Sequence, residues 1–328
     1  MQGVLLTEHG GPEVLAAAEI PEPETTGKVL VELRTAGINR RDALIREGIG
    51  PGYRPRLPVI LGSDGAGIRR DTGEEVIVLP SLRWGDSQRC ASDSFAVLGG
   101  GPDGGTYAEL VALPEENLYP KPKHLAWAEA GALSLSGLTA YRALFTVGDL
   151  RAGQTVVILG AGSGVSLIAL QLAVKVGARV AVTSSSQDKL NLAQELGAVA
   201  GVDYTQPDWE LHLRDEIGEA DLVLDSVGST LQESVMLLRP GGAVLSMGGT
   251  GAGGIVDGFD IRTLYLKHKR ILGTAMGSPT DFAGFLDMVA DGDIDPVIDS
   301  VYPLDEVAEA HSQLDANQRF GKIVLSTA

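Results

Sequence analysis

Residues 157–166 read VILGAGSGVS, an apolar strand-like run that passes through a glycine-rich turn into the start of a helix. Small residues in such a turn let the backbone approach a pyrophosphate, and the amide groups at the start of the helix attract its negative charge. We therefore interpret this stretch as the phosphate-binding part of a dinucleotide site, with a merely structural tight turn as the alternative. The predicted cofactor-binding residues of this stretch are Gly160, Ala161, Gly162, Ser163, Gly164 and Val165.

The third glycine of the G-x-G-x-x-G pattern is missing from this turn. That glycine ordinarily lets the helix pack tightly against the strand. We expect Ser166 to hold the register instead, because its side chain is small and its hydroxyl can bond within the first helical turn.

The next strand-like run ends in VAVTSSSQDKL, with no carboxylate at the position where an NAD site carries one for the ribose diol. Hydroxyl groups of Thr183, Ser184, Ser185 and Ser186 and the ammonium group of Lys189 stand there instead, and such groups can receive a ribose phosphate. The stretch thus favours NADP(H) over NAD, with Ser184, Ser185 and Lys189 as binding residues. Alternatively, Lys189 is a solvated helix residue and Ser186 an ordinary N-cap.

The elements around these residues indicate an α/β protein with a doubly wound parallel sheet. Residues 124–265 alternate between helix-like and strand-like segments, which predicts βαβ crossovers and a sheet covered on both faces. Residues 1–123 consist of short β-like runs broken by Gly and Pro, and residues 266–328 return to mixed elements that we expect to pack partly on the first domain.

Composition excludes several classes of function. The formal net charge of −17 argues against a nucleic-acid-binding protein and against attraction to anionic membranes. No apolar run of about 18 residues predicts a membrane span. The single cysteine, Cys90, allows no intrachain disulfide and no Cys-rich zinc lobe, so we expect a cytoplasmic protein. The glycine-dense segment 98–109 lacks the flanks of a phosphate loop and is predicted to be a surface loop.

An ordered series of short motifs runs along the whole chain: AGIN, LGSDGAG, LSGLTAYRAL, GAGSGVS, SSSQDKL, DSVG and GKIVLS. In this order the chain resembles the medium-chain dehydrogenase/reductase superfamily, and within it the zinc-free quinone oxidoreductase and zinc-type alcohol dehydrogenase-like branches. The resemblance implies a GroES-like β-rich catalytic domain made from both ends of the chain, a Rossmann-type domain inserted between them, and a homodimer or homotetramer.

The resemblance also locates the positions where zinc-dependent members hold their catalytic metal. Here these positions carry Asn39, the pair Ser63 and Asp64, and Leu135. Leucine cannot bind zinc, and the oxygen donors are not the His/Cys set that zinc prefers, so we expect no zinc. The chain's five histidines are scattered without metal spacing, and we assign them no chemistry.

Without a metal, reduction of a conjugated acceptor is the expected reaction, because an enone or quinone spreads the negative charge that hydride brings. Asn39, at a former metal-ligand position, is the predicted donor beside the nicotinamide or the substrate oxygen; a simple turn residue is the alternative. Asp42 is the second predicted catalytic residue, expected by resemblance to organise the polar surroundings of the site through hydrogen bonds, with proton transfer as the alternative. By resemblance, Thr139, Tyr204 and Gly248 should lie along the cofactor.

Two other functions stay open at this point. One is an alcohol dehydrogenase or carbonyl reductase that works through side chains alone, and the other is an NADPH-binding protein without turnover. The partner expected in the leading case is a small electrophilic substrate.

Overall fold

The computed structural model describes residues 1–50, 52–249, 255–256 and 258–327. The chain forms two compact units, of which the first combines Met1–Ser136 with Gly277–Ala328 and the second is Gly137–Met276. The sequence places the divisions earlier, at 123/124 and 265/266. The helix Trp127–Tyr141 contains the first division, so the change of sequence texture near residue 124 marks the start of this helix and precedes the boundary itself.

The N-terminal part of the first unit consists mainly of short strands. In chain order these are β1 (Gln2–Leu6), β2 (Ala17–Glu19), β3 (Val29–Gly37), β4 (Val59–Ile60), β5 (Ala66–Arg69), β6 (Glu75–Val78), β7 (Ser81–Leu82), β8 (Ala96–Val97), β9 (Leu110–Leu113) and β10 (Leu118–Pro120). Helix α1 (Arg40–Glu47) follows β3, and helix α2 (Trp127–Tyr141) follows β10.

The second unit alternates strictly between strand and helix after a π-helical segment, Arg142–Val147. Its elements are β11 (Thr155–Ile158), α3 (Gly164–Lys175), β12 (Arg179–Ser184), α4 (Gln187–Glu195), β13 (Ala200–Asp203), α5 (Trp209–Ile217), β14 (Ala220–Asp225), α6 (Leu231–Leu237), β15 (Leu238–Ser246), α7 (Arg262–Tyr265) and β16 (Arg270–Gly273). Within the described residues the strands form one parallel sheet in the order β13-β12-β11-β14-β15-β16. The doubly wound parallel sheet predicted from the alternation is confirmed.

The C-terminal segment returns to the first unit with α8 (Pro279–Val289), β17 (Ile298–Pro303), α9 (Val307–Ala316) and β18 (Lys322–Ser326). Its last strands extend the main sheet of that unit, whose order is β10-β6-β5-β3-β18-β17 with β9 also pairing to β3. Apolar residues of both chain ends share one core there, including Val4 and Ile38 from the start of the chain and Val307 and Leu325 from its end.

The antiparallel pairing of β18 with β3 positions the polar residues discussed below. Val324 lies opposite Gly37, and the backbone N–H of Ile38 donates to the carbonyl of Ile323 at 2.9 Å. Extending this register by two residues places Lys322 opposite Asn39. Gly37 is required at the end of β3, because a Cβ atom there would lie 2.6 Å from the carbonyl oxygen of Gly131.

Candidate active site

Asn39 occupies the turn between β3 and α1, where it is the N-cap of the helix and is 7% exposed. Its backbone N–H donates to Asp42 Oδ2 at 2.8 Å, so Asp42, in the first turn of α1, fixes the backbone from which the Asn39 side chain projects. The side chain itself turns away from the helix and donates through Nδ2 to Asp64 Oδ2 at 3.0 Å.

Lys322 completes a buried polar cluster with these two residues. Its Nζ donates to Asn39 Oδ1 at 2.5 Å and to Asp64 Oδ2 at 2.9 Å. The side chain of Lys322 is 4% exposed and that of Asp64 is fully buried, so this is an ion pair removed from water. The other carboxylate oxygen, Asp64 Oδ1, accepts from the backbone N–H of Leu135 at 2.6 Å. Both oxygens of Asp64 therefore have partners inside the protein.

The side chains at the positions where zinc-dependent members bind metal do not form a zinc-ligand set. Asn39 and Asp64 are tied to Lys322, Leu135 offers only its backbone, and Ser63 Oγ donates to the carbonyl of Leu98 at 2.7 Å. Across the part of the chain that the structure describes, no group of three His, Cys, Asp or Glu side chains could hold a metal. The donor set thus does not fit zinc, which prefers Cys and His.

A second chain of buried hydrogen bonds ends at the same carboxylate oxygen, Asp42 Oδ2. Arg46 Nη1 contacts His311 Nδ1 at 3.1 Å, His311 Nε2 contacts the Tyr107 hydroxyl at 3.2 Å, and that hydroxyl donates to Asp42 Oδ2 at 3.1 Å. Arginine can only donate, so His311 must accept at Nδ1 and carry its proton on Nε2. All the donors in this chain then point from Arg46 towards Asp42.

Burial shifts the protonation equilibria of the groups in this chain. Burial raises the pKa of Asp42 from 3.8 to about 6, although neighbouring Arg41 and the hydrogen bond from Asn39 oppose the shift. Burial and the charge of Arg46 lower the pKa of His311 from 6.5 to about 3, which keeps the imidazole neutral. Burial and Asp42 raise the pKa of the Tyr107 hydroxyl. Asp42 Oδ1 has no hydrogen-bond partner among the described residues, which leaves the charged carboxylate poorly compensated.

Sequence reasoning missed Lys322, His311 and Tyr107, and assigned no chemistry to the histidines. A signal existed for His311, which lies on the buried face of α9 between Ala310 and Leu314. Lys322 likewise opens an otherwise apolar strand, KIVLS. Neither observation indicates which residue the polar side chain contacts. The cluster therefore could not be predicted from them.

The glycine turn of the second unit contains two glycines with left-handed backbone conformations. Gly160 and Gly162 have φ angles of 74° and 118°, which L-residues rarely adopt. The turn is fastened to β12, because the N–H groups of Gly160 and Ala161 donate to Thr183 Oγ1 at 3.1 Å and to the Thr183 carbonyl at 2.7 Å. Ser163 caps α3 by accepting from the backbone N–H of Ser166 at 3.1 Å.

Ser166 packs where the missing third glycine would bring helix and strand together. It is 2% exposed, and its hydroxyl contacts Ser163 Oγ at 2.7 Å and the Leu159 carbonyl at 3.3 Å. Strict spacing of the motif would place the third glycine at Val165, but that side chain is only half-buried. The hydroxyl of Ser166 thus joins the first turn of α3 to the end of β11, as expected from the sequence.

The other predicted cofactor residues follow neighbouring strands of the parallel sheet. Ser184 ends β12 beside Asp203 of β13, and the exposed Tyr204 follows β13 directly. Ser185 is exposed, and the backbone N–H of Lys189 donates to the N-cap Ser186 at 3.5 Å. Gly160, Tyr204 and Gly248 follow β11, β13 and β15, and Ser184 is the last residue of β12, so all four lie at the carboxyl edge of the sheet. Thr139 lies in the last turn of α2 and is 8% exposed.

Comparisons with known proteins place this arrangement in a family. Residues 25–123 match the family model of the alcohol dehydrogenase GroES-like domain, and residues 164–291 match that of the zinc-binding dehydrogenases. A zinc-type alcohol dehydrogenase-like protein of Schizosaccharomyces pombe is 33% identical, with 94% of this chain and 93% of that protein covered. A quinone oxidoreductase of Pseudomonas aeruginosa is 34% identical, with 97% of each chain covered.

The chain belongs to the medium-chain dehydrogenase/reductase superfamily. It is an oxidoreductase of that superfamily, and the predicted combination of a GroES-like domain with a Rossmann-type domain is confirmed. A solved NAD-dependent alcohol dehydrogenase superposes with a TM-score of 0.93 at 36% identity over 100% of both chains. A crotonyl-CoA carboxylase/reductase solved in complex with NADP superposes with a TM-score of 0.88 at 25% identity, covering 99% of this chain and 94% of that one. Among the described residues no helix is both long and apolar enough to cross a membrane.

The raised pKa of Asp42 gives a prediction for stability. The folded protein holds the Asp42 proton up to about pH 6, whereas the ordinary value is 3.8, so this group makes the fold less stable as pH rises through that window. Asp42→Asn cannot ionise and can still accept from the Asn39 N–H. Between pH 4.5 and pH 7.5 the free energy of unfolding of the wild type should fall by about 2 kcal/mol relative to Asp42→Asn.

Urea unfolding of both proteins at several pH values measures this difference, with circular dichroism to verify that the variant folds. Parallel pH profiles for the two proteins would show that Asp42 is charged in the folded state throughout this range.

Proposed function

We propose that this protein transfers hydride from NADPH to a conjugated acceptor, an enone or a quinone, without a zinc ion. The observation that carries the proposal is the cluster of Asn39, Asp64 and Lys322 at the positions where zinc-dependent members hold their metal. An ammonium group and an amide replace the Lewis acid there. Simple alcohols and aldehydes need strong polarisation of their oxygen, whereas conjugated acceptors delocalise the incoming charge.

The glycine turn supports the binding of a dinucleotide. Apart from its chain neighbours, no described residue has an atom within 4 Å of a Cβ atom built on Gly160, so the space beside this glycine is open and could receive a pyrophosphate. The first amide groups of α3, at Gly164 and Val165, lack acceptors within the helix and would donate to the phosphates. The bound cofactor would supply the hydride. Gly160, Gly164 and Val165 would only hold the cofactor in position.

The preference for NADPH rests on the residues that follow β12 and β13. The hydroxyls of Ser184 and Ser185, the ammonium group of Lys189 and the exposed Tyr204 would surround a ribose 2′-phosphate. Asp203, which pairs with Ser184 in the sheet, also carries a carboxylate here. Its oxygens accept hydrogen bonds from Thr205 and Gln206 in the turn that follows. Hydrogen bonds from Thr205 and Gln206 lower the pKa of Asp203, so this carboxylate is ionised and its oxygens already have donors in their own turn.

Asn39 is the proposed donor to the substrate oxygen. One of its side-chain N–H groups is held by Asp64 at 3.0 Å, and the other makes only a long contact of 3.4 Å with the Gly37 carbonyl. A substrate oxygen in line with this second N–H would replace the long contact at little cost, while Asp64 and Lys322 keep the amide plane fixed. As hydride arrives at the conjugated carbon, the π electrons shift to the substrate oxygen, and a proton from water completes the reduced product. Asp42 acts on this step only by fixing the Asn39 backbone.

An alcohol dehydrogenase is the second candidate, favoured by the 36% identity to a solved NAD-dependent alcohol dehydrogenase. An NADPH-binding protein without turnover is the third possibility. Both alternatives differ from the main proposal in the substrates that are consumed, so one panel of electrophiles separates all three.

With NADPH, the protein should reduce 2-cyclohexen-1-one or 1,4-benzoquinone at least about tenfold faster, in kcat/KM, than propanal, because only the conjugated acceptors delocalise the charge. Rates are followed at 340 nm with protein-free blanks. Activity should survive dialysis against a chelator, and metal analysis should find less than one zinc per chain. Preferred turnover of propanal would support the alcohol dehydrogenase, and tight NADPH binding with no turnover would support the binding protein.

Two substitutions in the second unit test the cofactor assignment. Gly160→Ala should weaken the binding of NADPH and of NADH to the same extent, because the new methyl group enters the space proposed for the pyrophosphate that both cofactors carry. Lys189→Met should raise the Kd of NADPH about tenfold and leave that of NADH unchanged, since only NADPH carries the 2′-phosphate. The exposed Lys123→Met, which lies outside the proposed cofactor site and outside the β16 surface, is the matched control. Equal losses for both cofactors in Lys189→Met would contradict the NADPH preference.

We also propose that the protein is a homo-oligomer that associates through the edge strand β16. This strand ends the parallel sheet, and the apolar side chains of Tyr265, Leu266 and Ile271 near it are exposed. Ile271→Lys should shift the particle towards the monomer mass in light scattering. A monomeric wild type, or an unchanged mass for the variant, would contradict this assignment.

A further inference from the structure

Lys322 is a cation held almost entirely out of water. Its side chain is 4% exposed, and its two described partners are the amide oxygen of Asn39 and the carboxylate of Asp64. Burying an ammonium group costs free energy even when it is paired. An apolar residue would therefore suit this buried position at the start of β18 better. A polar role for the Lys322 side chain, in addition to packing, accounts for this arrangement.

The contact with Asn39 has a chemical consequence. Donation from an ammonium group to the amide oxygen draws electrons away from the amide nitrogen, which makes its N–H groups stronger donors. The effect is largest in a buried site, where water does not screen the charge. Asp64 opposes it, because the carboxylate neutralises part of the ammonium charge and holds one of the two Asn39 N–H groups.

We propose that Lys322 is a positioning residue of the reductase site, whose fixed charge acts through the Asn39 amide to stabilise an oxyanion on the ligand. The inference deepens the proposed function and rests on it for the identity of the reaction. The ligand class is a conjugated carbonyl compound whose oxygen becomes an enolate or a phenolate.

The decisive variant is the double substitution Lys322→Met with Asp64→Asn. It removes both charges together, so no uncompensated ion stays buried, and the amide oxygen introduced by Asp64→Asn can still accept from the Leu135 N–H. We expect a fold and an NADPH affinity close to those of the wild type, a kcat lower by about tenfold or more, and a little-changed KM. Lys322→Arg keeps the charge and should lie nearer the wild type, and the exposed Lys123→Met is the matched control.

A second measurement needs no turnover. The dye 4-nitrophenol titrates near neutral pH, and its phenolate form, which absorbs at 400 nm, carries an oxyanion like that of a reduced quinone. The double variant should bind the phenolate about tenfold more weakly than the wild type. Asp64→Asn alone should bind it more tightly, because the ammonium charge is then unopposed and one Asn39 N–H is released.

The outcomes separate this inference from the proposed function. A folded double variant with wild-type kcat would show that Lys322 only stabilises the fold. If that variant does not fold, Lys322→Gln with Asp64→Asn, which also removes both charges but keeps hydrogen-bonding side chains, replaces it. Phenolate binding as tight as that of the wild type in whichever double variant folds overturns the inference, as does an absence of phenolate binding to every protein. A wild type that reduces no electrophile defeats the proposed function, while the phenolate titration still tests Lys322.

Discussion

The pairing of β18 with β3 is the constraint on which the candidate site depends. It joins the C-terminal strand to a strand near the N-terminus and places Lys322 opposite the turn that carries Asn39. The residues that meet there are 283 positions apart in sequence. A shift of this register by one residue would turn Lys322 to the other face of the sheet and remove the ion pair with Asp64. The backbone ladder therefore determines where the charge lies.

Two of the positions that hold the metal in zinc-dependent members, Asn39 and Asp64, contact the ammonium group of Lys322 in this chain. A zinc ion would be held by several strong bonds, whereas the ammonium group of Lys322 is held by one amide and one carboxylate. Loss of one partner from a buried ion pair costs about 3 to 5 kcal/mol, so Lys322 and Asp64 are retained or lost together.

The sequence predicts the second unit well and the candidate active site only in part. Strand, turn and helix around Gly160 are encoded in contiguous residues, and the alternation of elements specifies the parallel sheet. Asn39 and Asp42 could be named because they lie in one short motif. Lys322, Tyr107 and His311 could not, because their partners come from distant segments whose meeting depends on the sheet register. The division between the two compact units falls within helix α2, where no change in the sequence pattern marks it.

The opposite pKa shifts of Asp42 and His311 have a joint consequence for folding. Near pH 5 an unfolded chain carries the proton on the imidazole, because the ordinary values are 3.8 for the carboxyl and 6.5 for the imidazole. In the folded protein, with values of about 6 and about 3, the proton lies on the carboxyl. Near pH 5 folding therefore moves one proton from the imidazole to the carboxyl and exchanges none with the solvent. The effects of Asp42 and His311 on the pH dependence of the free energy of unfolding then have opposite signs and cancel.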